Sequence, residues 1–152
     1  LLFTFAAGDL AVARPFAERL KASSGVLAVD LSLTSELFAT QRADYIRASL
    51  DVRIRRATAT VCLFGPQTLA DDWVLWTLET AHLRGRPIVA APLVAPTPEA
   101  IDLFSALGAA IVPLRAESFA RHLAAIEEGR ARPSSVAESA MLALRAMRHP
   151  VR

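Results

Sequence analysis

Residues 58–64 run from Thr58 through Val61, Cys62 and Leu63 to Phe64 without one charged side chain, and Gly65-Pro66 stops them. A strand with one wet face alternates polar and apolar residues, so a run this continuous predicts a strand covered on both faces. The period changes on either side of it. Ile46, Leu50 and Ile54 recur every four residues, marking one face of a helix over 43–56, and a further helix is expected over 71–83, ending at Gly85. Helix, doubly covered strand, turn and helix is the unit from which parallel sheets are built.

The same rhythm recurs along the chain. Apolar segments at 1–5, 26–30, 87–91 and 110–114 alternate with helical patterns at 10–22, 98–107 and 117–128. Pro15 cannot sit deep in a helix, so regular hydrogen bonding of the first helix is expected to start near it. Five strands in this rhythm predict an α/β, flavodoxin-like three-layer sandwich with a parallel sheet in the order 2-1-3-4-5. Its ligand crevice would lie at the carboxyl ends of strands one and three. Residues 6–9, the loop after Asp30, and the stretch from Gly65 to the next helix would line it. Residues 31–42 have no period and read as a loop of functional length. The organisation expected is a domain over 1–128, then 129–152 as a linker and an extra C-terminal helix. Ser134 or Ser135 would cap that helix, which would pack on the domain or serve as an interface.

Bulk properties narrow the function classes. The 152 residues are 53% apolar and 21% charged, which fits one folded domain and excludes a disordered chain. No apolar run reaches the ~20 residues of a membrane span. The net charge of +2 is spread thinly, without a basic tract interleaved with aromatics, so neither nucleic acid nor a membrane is expected as partner. Cys62 is the single cysteine and reads as a buried thiol, leaving no disulfide framework and no zinc pattern. His82, His122 and His149 lack metal-ligand spacing, so no metal site is predicted. Leu1 already lies inside an apolar strand, as in a piece of a longer product. With no signal peptide visible, a cytoplasmic location is expected.

Several chemistries of such folds leave marks that are missing. Gly8 stands alone after the first strand, so there is no dinucleotide fingerprint, and neither a P-loop nor a nucleophile elbow is present. A phosphoacceptor domain would need acids where Ala6, Ala7 and Gly65 stand. The polar candidates left at the crevice are Asp9, Asp30 and Ser32, although Asp9 as a helix cap needs no ligand. Asp71 and Asp72 suit a helix N-terminus. Trp73 and Trp76 read as packing on the sheet or as stacking on a ligand. Arg42, Arg47, Arg53, Arg55 and Arg56 read as phosphate contacts or as a solvated helix face.

Tyr45-Ile46, the strand Thr60 to Gly65, Trp73-Val74 with Trp76, and Gly85 twelve residues past Trp73 together resemble the TIR-like domains of the Thoeris type. Asp30-Leu31-Ser32 is similar to that family's motif after strand two. The resemblance covers about 1–128, and its specific part is 44–85. It implies a fold related to Toll/interleukin-1 receptor domains and a signalling role in bacterial defence. Catalytic members split the nicotinamide–ribose bond of NAD or cyclise the product. A carboxylate beside the sugar stabilises the oxocarbenium-like transition state.

The resemblance puts Thr77 at that carboxylate's position. A hydroxyl can bond a ribose but carries no charge, and such a loss removes ~10²–10⁴ of rate. Glu79 is the nearest alternative acid, turned about 200° around the helix from Thr77, and Glu36 is another. The expectation is a recognition module that binds a nucleotide or a protein partner, or self-associates, with NAD cleavage lost or divergent. Asp9, Asp30, Ser32, Arg42 and Trp73 would contact the ligand, NAD or a related nucleotide, and no cofactor would be required. An active NAD glycohydrolase or cyclase, and a purely structural assembly domain, are the alternatives.

Overall fold

The structure, a computed structural model, describes residues 1–24 and 40–129. Its elements follow in the order β1 (Leu2–Thr4), α1 (Leu10–Ser24), α2 (Arg42–Arg56), β2 (Thr60–Phe64), α3 (Asp72–Leu83), β3 (Ile88–Pro92), α4 (Pro98–Ala106), β4 (Ala110–Ile111) and α5 (Ala116–Glu127). All strand pairs are parallel, and the four described strands lie in the order β1-β2-β3-β4. Phe3, Val61, Val89 and Ala110 form one row across the sheet. The apolar segment at 26–30 and the helix predicted after Ser134 lie outside the described residues.

Every side chain of β2 is buried, as its unbroken apolar run requires. Cys62 and Phe64 face a core shared with Ile54 of α2, Leu75 and Leu78 of α3, and Phe104 of α4. Val61 and Leu63 face the other core, with Phe16 and Leu20 of α1 and Phe119 of α5. Aromatic contacts close both layers: Phe64 and Phe104 have centroids 4.7 Å apart, and Phe16 meets Phe119 edge-on at 5.4 Å. Gly85 ends α3 at φ +62°, and Arg86 N–H then returns to the Ala81 carbonyl at 2.9 Å.

Three local expectations are corrected. α1 starts at Leu10, so Pro15 sits in its second turn instead of opening it. Proline removes the donor that would serve the Ala11 carbonyl, and Ala11 is exposed, so water can serve it instead. β4 has two residues where five were expected. Val112 N–H still donates to Ala90 at 2.8 Å, but Pro113 has no N–H to extend the ladder. Trp73 does not face the sheet: it packs on Ala43 and Leu50 of α2, edge-on to Trp76.

Candidate functional site

Two loops meet at the carboxyl ends of β1 and β2. The first turns through Ala7–Asp9, and the second passes from Gly65 through a helical turn at Thr68–Ala70 to Asp71, which caps α3. An aspartate from each loop reaches across to the other. Asp71 Oδ1 accepts from Trp73 N–H at 3.0 Å and Val74 N–H at 3.1 Å, while its Oδ2 accepts from Ala7 N–H at 3.3 Å. Thr68 Oγ1 accepts from Gly65 N–H at 2.8 Å and donates to Asp9 Oδ2 at 3.5 Å. Asp9 therefore turns toward the β2 loop instead of capping α1.

Glycine makes this approach possible. A Cβ on Gly65 would stand 2.6–2.7 Å from the three atoms of the Asp9 carboxylate, and one on Gly8 would stand 3.0 Å from Gln67 Cγ. Cys62 lies below the crevice, fully buried. Burial first, then the negative charges of Asp71 and Asp9, push its thiol far above the ordinary 9.0, so it is no nucleophile.

Burial also raises the Asp71 carboxyl above its ordinary 3.8, with Asp72 adding to it, against the opposing pull of the N–H groups of Val74, Ala7 and Trp73. The folded chain thus holds this proton more tightly than the unfolded one. Asp71 favours folding most below pH 3.8, and that contribution is lost as pH rises from there through the folded value. Asp71→Asn keeps an acceptor for the helix N–H groups but does not titrate. Its melting temperature is expected to gain on that of the wild type as pH rises through this window. Parallel melts of the two proteins across it check the sign.

The expected site residues are only partly gathered here. Asp9 lies in the crevice and is 8% exposed. Thr77 is 1% exposed, and its hydroxyl donates to the Trp73 carbonyl at 2.7 Å within α3. Trp73 is buried, with the Arg47 guanidinium 5.9 Å from its ring centroid. Glu79 is half-buried farther along α3, and Arg42 is exposed at the start of α2. Asp30, Ser32 and Glu36 lie outside the described residues. Sequence reading missed Thr68 and the Asp71–Ala7 tie. Thr68 sits in no periodic pattern, and Ala7 and Asp71 are 64 residues apart.

Beside the crevice, a groove of about 240 Å³ is walled by Phe64, Pro66, Leu69, Val94 and Pro96. Thr97 borders it, but its hydroxyl is spent on the N–H of Ala100. Among the described residues no group of His, Cys, Asp and Glu could hold a metal ion, and no helix is long and apolar enough to cross a membrane.

Neither a curated protein nor a solved structure gives a significant match to the chain. A family model, that of the Thoeris protein ThsB, TIR-like domain, matches residues 3–95, which hold both crevice loops, Trp73 and Thr77. That match spans more than half of the chain and agrees with its parallel α/β sheet, so the protein belongs to the TIR-like domain family of the Thoeris protein ThsB.

Proposed function

We propose that this defence signalling module recognises a nucleotide or a protein partner at the crevice between β1 and β2, with NAD cleavage lost or divergent. In this reading residues 26–30 add a strand beside β1, completing the order 2-1-3-4-5 and bringing Asp30 and Ser32 to a third wall of the crevice. The observation that carries the reading is Thr77: where a catalytic relative would offer a carboxylate to the ribose, this chain has a buried hydroxyl turned back onto its own helix. Asp71 is also committed, since both of its oxygens hold backbone N–H groups. Asp9 differs from both. Among the described residues its carboxylate has one hydrogen bond, 3.5 Å long and on Oδ2, so Oδ1 can accept a ligand hydroxyl.

Two measurements with NAD test the reading. Nicotinamide release from NAD is expected to stay at background, whereas enzymes typically turn over at about 1–10³ s⁻¹. Calorimetric titration is expected to register NAD binding that Asp9→Asn weakens about tenfold, the effect of one charge-assisted hydrogen bond. Turnover in the enzymatic range would overturn the loss of cleavage. Absence of any NAD binding would shift the role of the crevice to a protein partner.

A further inference from the structure

The mid-part of α3 and the facing side of α2 leave a second groove, of about 430 Å³, away from the strand ends. Its lining includes Trp76, half-buried and backed by Trp73. Leu83 also lines it and is 66% exposed, although it ends an otherwise well-packed helix. Nothing in the packing of α3 on the sheet calls for leucine at that position.

The rim of the groove is charged and unbalanced. Asp51 of α2 holds Arg84 through two parallel bonds, Nε to Oδ1 at 2.9 Å and Nη2 to Oδ2 at 3.0 Å. The same carboxylate also pairs with Arg55 Nη2 at 2.8 Å. Two guanidiniums thus share one carboxylate that is only 18% exposed, while Arg55 and Arg84 stay 52% and 47% exposed. A guanidinium has five N–H donors in a planar fork, so each keeps donors facing outward after serving Asp51. α2 as a whole carries five arginines against Asp44 and Asp51, and setting Glu79 of α3 against Arg84 still leaves a positive surplus.

Ala48, Trp76 and Leu83 line the groove among Arg47, Asp51, Thr80 and Arg84; an apolar spot within a polar rim is the anatomy of a protein interface. We propose that this groove docks an acidic segment of a partner protein. The partner's carboxylates take the outward donors of Arg55 and Arg84, and one aliphatic or aromatic side chain covers Trp76 and Leu83. The charge surplus selects the sign of the partner and speeds its encounter. The exposed leucine favours a protein segment over a nucleic acid, whose backbone would leave that apolar surface wet. The proposal is independent of what the crevice binds.

Panning a random peptide library on the intact chain tests it, with the winners re-measured by fluorescence anisotropy against Leu83→Asp and Arg55→Glu. Both side chains are exposed, and thermal melts verify that the variants fold. Enriched peptides are expected to be net acidic with an apolar anchor, to bind about tenfold more weakly to each variant, and to weaken with added salt. Winners that are neutral or basic, or that bind both variants as well as the wild type, would overturn the proposal. So would a homodimer in solution that Leu83→Asp dissolves, which would make the occupant a second copy. Tight binding of an oligo-dT probe that is insensitive to Leu83→Asp would overturn it as well.

Discussion

Thr77→Glu is expected to destabilise the protein severely and not to restore a catalytic carboxylate. Residue 77 is 1% exposed on the side of α3 that carries Trp73 one turn earlier. A glutamate there exchanges a satisfied hydroxyl for a longer, charged side chain that burial cuts off from solvent. The nearest polar partner of Thr77, the Trp73 carbonyl, is an acceptor and would repel a carboxylate. An unpaired buried charge costs about 3–5 kcal/mol, a large part of the ~5–15 kcal/mol that holds a domain together. The melting temperature is expected to fall by roughly 10 °C. Thr77→Val is the control: the Trp73 carbonyl keeps its helical N–H partner, the shape is conserved, and the change is expected to stay within ~1 kcal/mol. Denaturant melts of both variants check the contrast. A Thr77→Glu protein as stable as the wild type would mean that the side chain reaches solvent in the crevice.

Features set by neighbours in the chain were legible before any coordinates. β2 could be read because both of its faces are apolar, and both are buried. Asp71 capping α3 and Gly85 ending it follow from local backbone needs that few residue types meet. The failures came where a distant or missing partner decides the outcome. Pro15 falls where the carbonyl it orphans belongs to an exposed residue, Ala11, and β4 stops early because Pro113 lacks an N–H. Trp73 lies near the edge of the apolar stripe of α3, where period alone does not choose between the sheet and α2. Topology led to the expectation that the loops after β1 and β2 converge at the strand ends, and these two loops do meet there. Its internal wiring was not legible: Asp9 meets Thr68, 59 residues later, only once two loops have closed on each other.

Gly65→Ala tests that wiring, and its expected cost is steric alone. Among the described residues the glycines with positive φ are Gly85, Gly108 and Gly129; Gly65 is not one of them, so alanine does not meet left-handed backbone there. What alanine meets is the Asp9 carboxylate, 2.6–2.7 Å from the new Cβ, closer than real Cβ contacts come. Asp9 is 8% exposed, and moving it off the new Cβ breaks its bond from Thr68. Overpacking of this kind costs about 1–3 kcal/mol, and the lost hydrogen bond adds about 1 kcal/mol. The melting temperature is expected to drop by roughly 10 °C. In an Asp9→Ala background the three clashing atoms are gone, and the same glycine change is expected to cost under about 1 kcal/mol. The difference between the two backgrounds is a coupling of about 2 kcal/mol, well above the ~0.3–0.5 kcal/mol within which independent sites add. Equal costs in both backgrounds would show that the carboxylate does not rest on Gly65, and Asp9 would then lose its place as the crevice's open acceptor. If the coupling is found, the same alanine that strains the fold also pushes Asp9 toward the ligand space, so NAD affinity should change together with stability in Gly65→Ala.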